Sequence, residues 1–243
     1  LSSLPARERI IVAFDVQTNE DYNFLVENLN GIATYVKVGM EIFYAKGEGI
    51  IKELQEQGFK IFLDLKIHDI PNTMMNSVKA LTRLGVDIIN VHASAGLEGM
   101  NAARVGRNEG MQEYGIDKKP LLIAVTQLTS TNQETLETEI GIKKPMQEVV
   151  TQYAVLAKRA GLDGVVCSAK EAAHIKESCG VDFLTICPGI RPKGSHVHDQ
   201  KRVVTPTEAI KNGADFLVVG RTITQNSIPG KIFEEIVEEI ENA

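Results

Sequence analysis

Eight short apolar runs, helical periodicity between them and a repeated glycine signal at the joins together predict an α/β protein of the (β/α)8, or TIM, barrel class. The runs cover residues 10–14, 35–38, 61–65, 88–91, 121–125, 165–167, 183–186 and 216–219. They are apolar on both faces rather than alternating, as parallel strands covered on both sides must be. Between them, Val149, Val150, Tyr153, Ala154, Leu156 and Ala157, or Ile232, Phe233, Ile236, Val237 and Ile240, fall on one face of a helix.

The joins follow one pattern. Gly85-Val-Asp87, Gly161-Leu-Asp163, Gly180-Val-Asp182 and Gly213-Ala-Asp215 each precede an apolar run, and glycine suits the left-handed position just past a helix. Thr205-Pro-Thr-Glu208 places an N-cap, a first-turn proline and a reaching carboxylate at the start of a late helix. No Pro/Gly/Ser-rich linker interrupts the series. A single barrel domain over residues 1–243 therefore fits better than a doubly wound open sheet.

Composition bounds the function. With 43% hydrophobic and 24% charged residues the chain reads as an ordinary globular domain. A net charge of −6 without basic blocks disfavours nucleic acid and membrane surfaces as partners, while leaving room for a locally basic pocket. Cys167, Cys179 and Cys187 form no C-x-x-C pair and read as reduced thiols. No leader-like segment and no run of membrane-spanning length is seen, so a cytoplasmic location is expected.

In such barrels chemistry sits where strands end. Asp15 closes the first run, Lys37 lies in the second, Asp64 and Lys66 end the third, His92 follows the fourth, Thr126 and Thr129 the fifth, Arg191 the seventh, and Gly220-Arg221 the eighth. Strand alternation sends Asp64 and Lys66 the same way, their Cα atoms roughly 6.5 Å apart. Lys37 and Asp69 would extend them into an alternating row of four charges. Such a row could merely satisfy its own members, but concentrating four ions at one mouth is costly unless they are used. Gly220 and Arg221, with Arg191, Lys193 and Gly194 after the seventh run, suit a phosphate grip; the plain alternative is a tight turn and a solvated arginine.

The stretch 192–202 is long for a loop of this kind and reads as a closing lid. His196, His198 and Asp199 lie within it, but a His-x-His-Asp stretch without further ligands argues against a metal site. His68 and His92 are open between packing, support and substrate contact.

The segment Asp64-Leu-Lys66-Ile-His-Asp69-Ile-Pro-Asn-Thr73 resembles the signature of orotidine 5'-phosphate decarboxylases. Val12-Ala-Phe-Asp15, Val36-Lys37-Val-Gly, Leu128-Thr129-Ser130, Pro188-Gly-Ile-Arg191 with Gln200, and Val219-Gly220-Arg221 extend the resemblance in order along nearly the whole chain. The resemblance implies a lyase that needs no cofactor or metal. Asp15 and Lys37 would contact ribose, Thr129 would lie near the pyrimidine, and Arg191, Gln200, Gly220 and Arg221 would hold phosphate. It further implies a homodimer in which Asp69 and Thr73 reach the neighbouring subunit's site.

Decarboxylation at C6 of the pyrimidine leaves an electron pair in the ring plane, which a nearby ammonium would stabilise. Lys66 would do so and then protonate C6, with Asp64 and Asp69 keeping it charged and aimed, and with Asp64 close to the departing carboxylate. Two rivals stand beside this reading. One is a Mg2+-dependent sugar-phosphate decarboxylase or aldolase of the same superfamily; those relatives carry an acidic ligand where this chain has Lys37, and an ammonium cannot bind Mg2+. The other is a non-catalytic barrel that binds a pyrimidine nucleotide.

Overall fold

The computed structural model describes residues 4–192 and 204–243. Strand β1 (Ile10–Ala13) leads to α1 (Asn19–Leu29), β2 (Tyr35–Gly39) to α2 (Met40–Lys46) and α3 (Gly49–Glu56), β3 (Lys60–Ile67) to α4 (Pro71–Thr82), and β4 (Ile88–His92) to α5 (Gly96–Tyr114). The second half repeats the scheme with β5 (Leu121–Val125), α6 (Gln133–Thr138), α7 (Met146–Arg159), β6 (Gly164–Val166), α8 (Ala172–Cys179), β7 (Leu184–Cys187), α9 (Pro206–Lys211), β8 (Phe216–Val219), α10 (Arg221–Thr224) and α11 (Pro229–Glu241). Each strand pairs in parallel with the next and β8 pairs with β1, closing the ring in sequence order. The predicted (β/α)8 barrel is the fold.

Strand residues divide between two cores. Ile11, Ala13, Phe62, Ile88, Ile123, Leu184, Ile186, Phe216 and Val218 fill the barrel interior. Their neighbours, such as Ile10, Val12, Val36, Ile61, Ile89 and Val91, pack outward against the helices. This two-sided burial is why the strands lack a polar face.

The glycine-x-aspartate joins have a structural use beyond ending helices. Gly85, Gly161, Gly180 and Gly213 all have positive φ, from 64° to 91°. Asp87, Asp163 and Asp215 then each accept a backbone N–H from the preceding strand: Ile61 at 2.8 Å, Leu122 at 2.9 Å and Thr185 at 2.8 Å. Each carboxylate is also held by a cation, namely Lys118 on Asp87, Arg107 and Lys119 on Asp163, and Lys176 on Asp215. These clamps stitch β3 to β4, β5 to β6 and β7 to β8 at the N-terminal face. Asp182 repeats the sequence pattern but is exposed.

The chain's ends seal the ring. Arg7 makes a two-pronged pair with Glu234, both contacts at 2.8 Å, and Arg9 donates to the carbonyls of Ala214 and Asp215. Thr205 and Glu208 form the expected capping box on α9. Helices α4 and α5 approach closely because Gly106 faces α4: a Cβ there would meet the Met75 carbonyl oxygen at 2.0 Å.

Candidate active site

A cavity of about 710 Å³ opens at the C-terminal ends of the strands, lined by residues that include Asp15, Lys37, Asp64, Lys66, Thr129, Arg191, Gly220 and Arg221. Eight of the residues singled out from sequence thus meet around one space. Asp69 and Thr73 do not line it and are exposed, Asp69 just past β3 and Thr73 in the first turn of α4. Gln200, like Lys193, Gly194, His196, His198 and Asp199, lies outside the described residues.

The charges form a continuous row with Lys37 at its centre. The Lys37 Nζ donates to both carboxylate oxygens of Asp15 at 2.9 Å and stands 3.4 Å from Asp64 Oδ2. The other Asp64 oxygen, Oδ1, takes the Lys66 ammonium at 2.8 Å. The order is therefore Asp15, Lys37, Asp64, Lys66. Asp69, expected as the fourth member, is replaced within this chain by Asp15; its own carboxylate accepts the N–H of Ile70. Asp69 sits on the turn that leaves the barrel after β3, so its side chain is carried away from the row.

Lys37 and Asp64 are each only 8% exposed. Burial works against the Lys37 ammonium, but Asp64 and then Asp15 outweigh it and raise its pKa above the ordinary lysine value. Burial equally opposes the Asp64 carboxylate; Lys37 and Lys66, aided by hydrogen bonds from Lys66 and Asn90, still hold its pKa below the ordinary range. Both groups are kept charged by their neighbours.

Regular alternation does not bring Asp64 and Lys66 together. Lys66 has φ 51°, the one positive value on a non-glycine residue among the described residues. Between Leu63–Ile89 and Ile67–Val91 the β3–β4 register slips. Asn90, buried within β4, fills the gap, with its Oδ1 accepting the Lys66 backbone N–H at 2.8 Å and its Nδ2 donating to Asp64 Oδ1 at 2.6 Å. Sequence reasoning passed over Asn90, although a lone amide within Ile88-Ile-Asn-Val91 was the available signal. It also passed over the steric role of Gly39, where a Cβ would stand 2.6 Å from Asp15 Oδ1 and 2.9 Å from Lys37 Nζ.

His68 and His92 stack beside the row, ring centroids 5.5 Å apart. Burial, then His68 and Lys66, lower the His92 pKa, leaving that ring neutral at pH 7. Its Nδ1 faces Ser94 Oγ at 2.7 Å. The two rings thus stack on one another near Lys66.

Across the mouth, Arg191 is 5% exposed. Its Nη1 donates to the Ile190 carbonyl, and burial followed by the charge of Arg221 lowers its pKa. Two guanidinium groups that repel one another at the edge of a cavity suit a dianion. Among the described residues no group of three or more His, Cys, Asp or Glu side chains is arranged to hold a metal ion. No described helix is long and apolar enough to cross a membrane.

Comparison with known proteins agrees with this geometry. Residues 8–236 match the family model described as orotidine 5'-phosphate decarboxylase / HUMPS family. The chain is 49% identical over 232 residues to the orotidine 5'-phosphate decarboxylase of Streptococcus suis strain 05ZYH33, covering 95% of this chain and 96% of that one. It is 47% identical over 229 residues to the enzyme of that name from Geobacillus thermodenitrificans, covering 94% and 95%. A crystal structure of orotidine 5'-phosphate decarboxylase from Lactobacillus acidophilus superposes with a TM-score of 0.83 at 41% identity, covering 97% of this chain and all of the other. With its fold, its mouth residues and these relatives in accord, the chain belongs to the orotidine 5'-phosphate decarboxylase / HUMPS family.

Proposed function

We propose that the protein converts orotidine 5'-phosphate to uridine 5'-phosphate and CO2 in cytoplasmic pyrimidine nucleotide synthesis, with Lys66 as the proton donor. The observation that carries this reading is the ion-paired row Asp15, Lys37, Asp64, Lys66 on one side of a cavity whose other side bears Arg191 and Arg221. A nucleotide bound with its phosphate on the arginines would bring its ring toward Lys66, with Thr129 near the base and Asp15 and Lys37 near the ribose. The Gly220 backbone lies beside Arg221 at the phosphate end, where Gln200 would join it.

The C6–carboxylate bond breaks and CO2 leaves with its carbon oxidised, while the bonding electron pair stays on C6 in the ring plane. Lys66 Nζ stabilises that charge and transfers one proton to it, and solvent later restores the ammonium. Asp64, whose Oδ1 lies 2.8 Å from the Lys66 ammonium, aims it before transfer. Binding at the distant phosphate contributes to positioning as well as affinity.

The metal-dependent alternative is disfavoured because the Lys37 ammonium lies between the carboxylates of Asp15 and Asp64, where a Mg2+ site would need oxygen ligands. A shared, dimeric site is supported by exposed apolar groups on the segments that follow β2, β3 and β4: Tyr44 at 71%, Ile70 at 65% and Leu97 at 39%. Asp69 and Thr73 lie on the same rim and would complete the partner's row.

The test is the loss of orotidine 5'-phosphate absorbance in the presence of EDTA. Full activity in the chelator is expected, as is its abolition in Lys66→Ala with uridine 5'-phosphate binding retained. Activity that requires Mg2+ would favour the rival enzyme; nucleotide binding without turnover would favour the non-catalytic reading.

A further inference from the structure

Asn90 is fully buried on the interior face of β4, between Ile88 and His92, and it meets two parts of the charge row at once. From Leu63 to Ile67 the third strand advances four residues while β4 advances two, from Ile89 to Val91. The bulged residues have lost their regular ladder there, and a buried N–H without a partner is expensive. The Asn90 side chain supplies the missing acceptor for Lys66 N–H. The same amide donates to Asp64 Oδ1, the oxygen on which the Lys66 ammonium rests.

The two roles fix the residue type. The backbone N–H requires an acceptor and the carboxylate requires a donor, so the amide oxygen and nitrogen have one consistent orientation. A left-handed backbone at a lysine is strained and persists only where the surroundings hold it.

We propose that Asn90 is a positioning residue for the proton donor: it holds the Lys66 backbone in its left-handed turn and fixes the Asp64 oxygen against which the ammonium is aimed. This rests on the decarboxylase reading. Asn90 does not line the cavity, so it acts through Lys66 and Asp64 rather than on the nucleotide.

The consequence is a separation of turnover from binding. Asn90→Ala should lower kcat by about 30-fold or more, since misaimed proton transfer costs rate. Its KM and the calorimetric Kd for uridine 5'-phosphate should stay within about threefold of wild type, because the phosphate grip is untouched. Asn90→Asp gives a second readout. When protonated, the new carboxyl offers the same donor and acceptor as the amide; when ionised, it repels Asp64. The charged and titratable groups around it are Asp64 and Lys66 on β3, Lys37 on β2 and His92 on its own strand, whereas its β5 neighbour Ile123 carries no charge. The ratio of Asn90→Asp to wild-type kcat should therefore rise as pH falls from about 8 to about 5.

Both variants and wild type would be assayed as the full chain, with circular dichroism to verify folding. An active wild type with Asn90→Ala kcat within about threefold of it would overturn the inference alone. So would a kcat loss matched by an equal loss of uridine 5'-phosphate affinity. If Asn90→Ala does not fold, the Asn90→Asp ratio decides: a rise toward acid supports the role and a flat ratio overturns it. A wild type inactive on orotidine 5'-phosphate would instead remove the decarboxylase reading, and this inference with it.

Discussion

Gly39 lies so close beneath Asp15 that a methyl group on its Cα would stand 2.6 Å from the Asp15 Oδ1 atom. The same methyl would come within 2.9 Å of Lys37 Nζ. Gly39 has φ −86°, a value open to any residue, so the constraint is space rather than backbone freedom. Gly39→Ala is expected to fold normally, displace the Asp15–Lys37 pair and reduce kcat/KM by roughly tenfold to a hundredfold, the effect of a misplacement of about an ångström. Steady-state kinetics beside a thermal melt check this; unchanged kinetics would show that the pair can move freely.

Lys37 is the principal charge offsetting the burial of Asp64. In wild type the depressed Asp64 pKa keeps the carboxylate ionised below the range where ordinary aspartates protonate. Lys37→Met removes that support, so the Asp64 pKa should rise. The acid limb of the kcat–pH profile should then move to higher pH, together with a large fall in the plateau. A profile measured from acid to neutral pH decides the point, and an unmoved acid limb would deny Lys37 this electrostatic role.

Asp163 tests the opposite face. It accepts the Leu122 N–H, pairs with Lys119, and holds the nearly buried Arg107 at 2.5 Å. Asp163→Ala would leave Arg107 an uncompensated buried cation, a loss of about 3–5 kcal/mol. For a chain of this size Tm should fall by roughly 10 °C, while kcat and KM below the transition stay those of wild type. Asp163→Asn retains an acceptor for Leu122 and should lose less. A shift in KM without a change in Tm would contradict the assignment of this end of the barrel to stability.

The proposed shared site is open to complementation. Lys66→Ala and Asp69→Ala should each be nearly inactive alone. Refolding them together in equal amounts gives hybrid dimers, each with one site bearing both native residues, so about a quarter of wild-type activity should return. An inactive mixture containing verified hybrids would place Asp69 in its own subunit's site.

The barrel was legible in the sequence because its evidence is repetitive. Eight two-sided apolar runs and the Gly-x-Asp joins report the same architecture many times over, and the strands lie within a residue or two of their expected places. The residues around the mouth were legible because charge stands out at the end of an apolar strand. The linkage among them was not. Asp15, rather than Asp69, completes the row within the chain, since β1 pairs with β2 and ends beside Lys37, whereas Asp69 lies past the end of β3 on the turn that leaves the barrel. The bulge at Lys66 escaped detection because no glycine announces its positive φ; Asn90, distant in sequence, supplies the hydrogen bond that compensates it. Gly39 escaped for the complementary reason that its importance lies in an atom it lacks.

Ring order also fixes a length. Strands β3 and β7 are four places apart in a closed ring of eight, so Lys66 at the end of one and Arg191 just past the other face each other across the diameter of the mouth. For the proposed nucleotide substrate the barrel would therefore act as a ruler. A ligand that engages both ends must span the opening, as a base, sugar and phosphate in line can. A free base or a free phosphate reaches only one mark on the scale, so discrimination by size is built into the strand count before any individual contact is made.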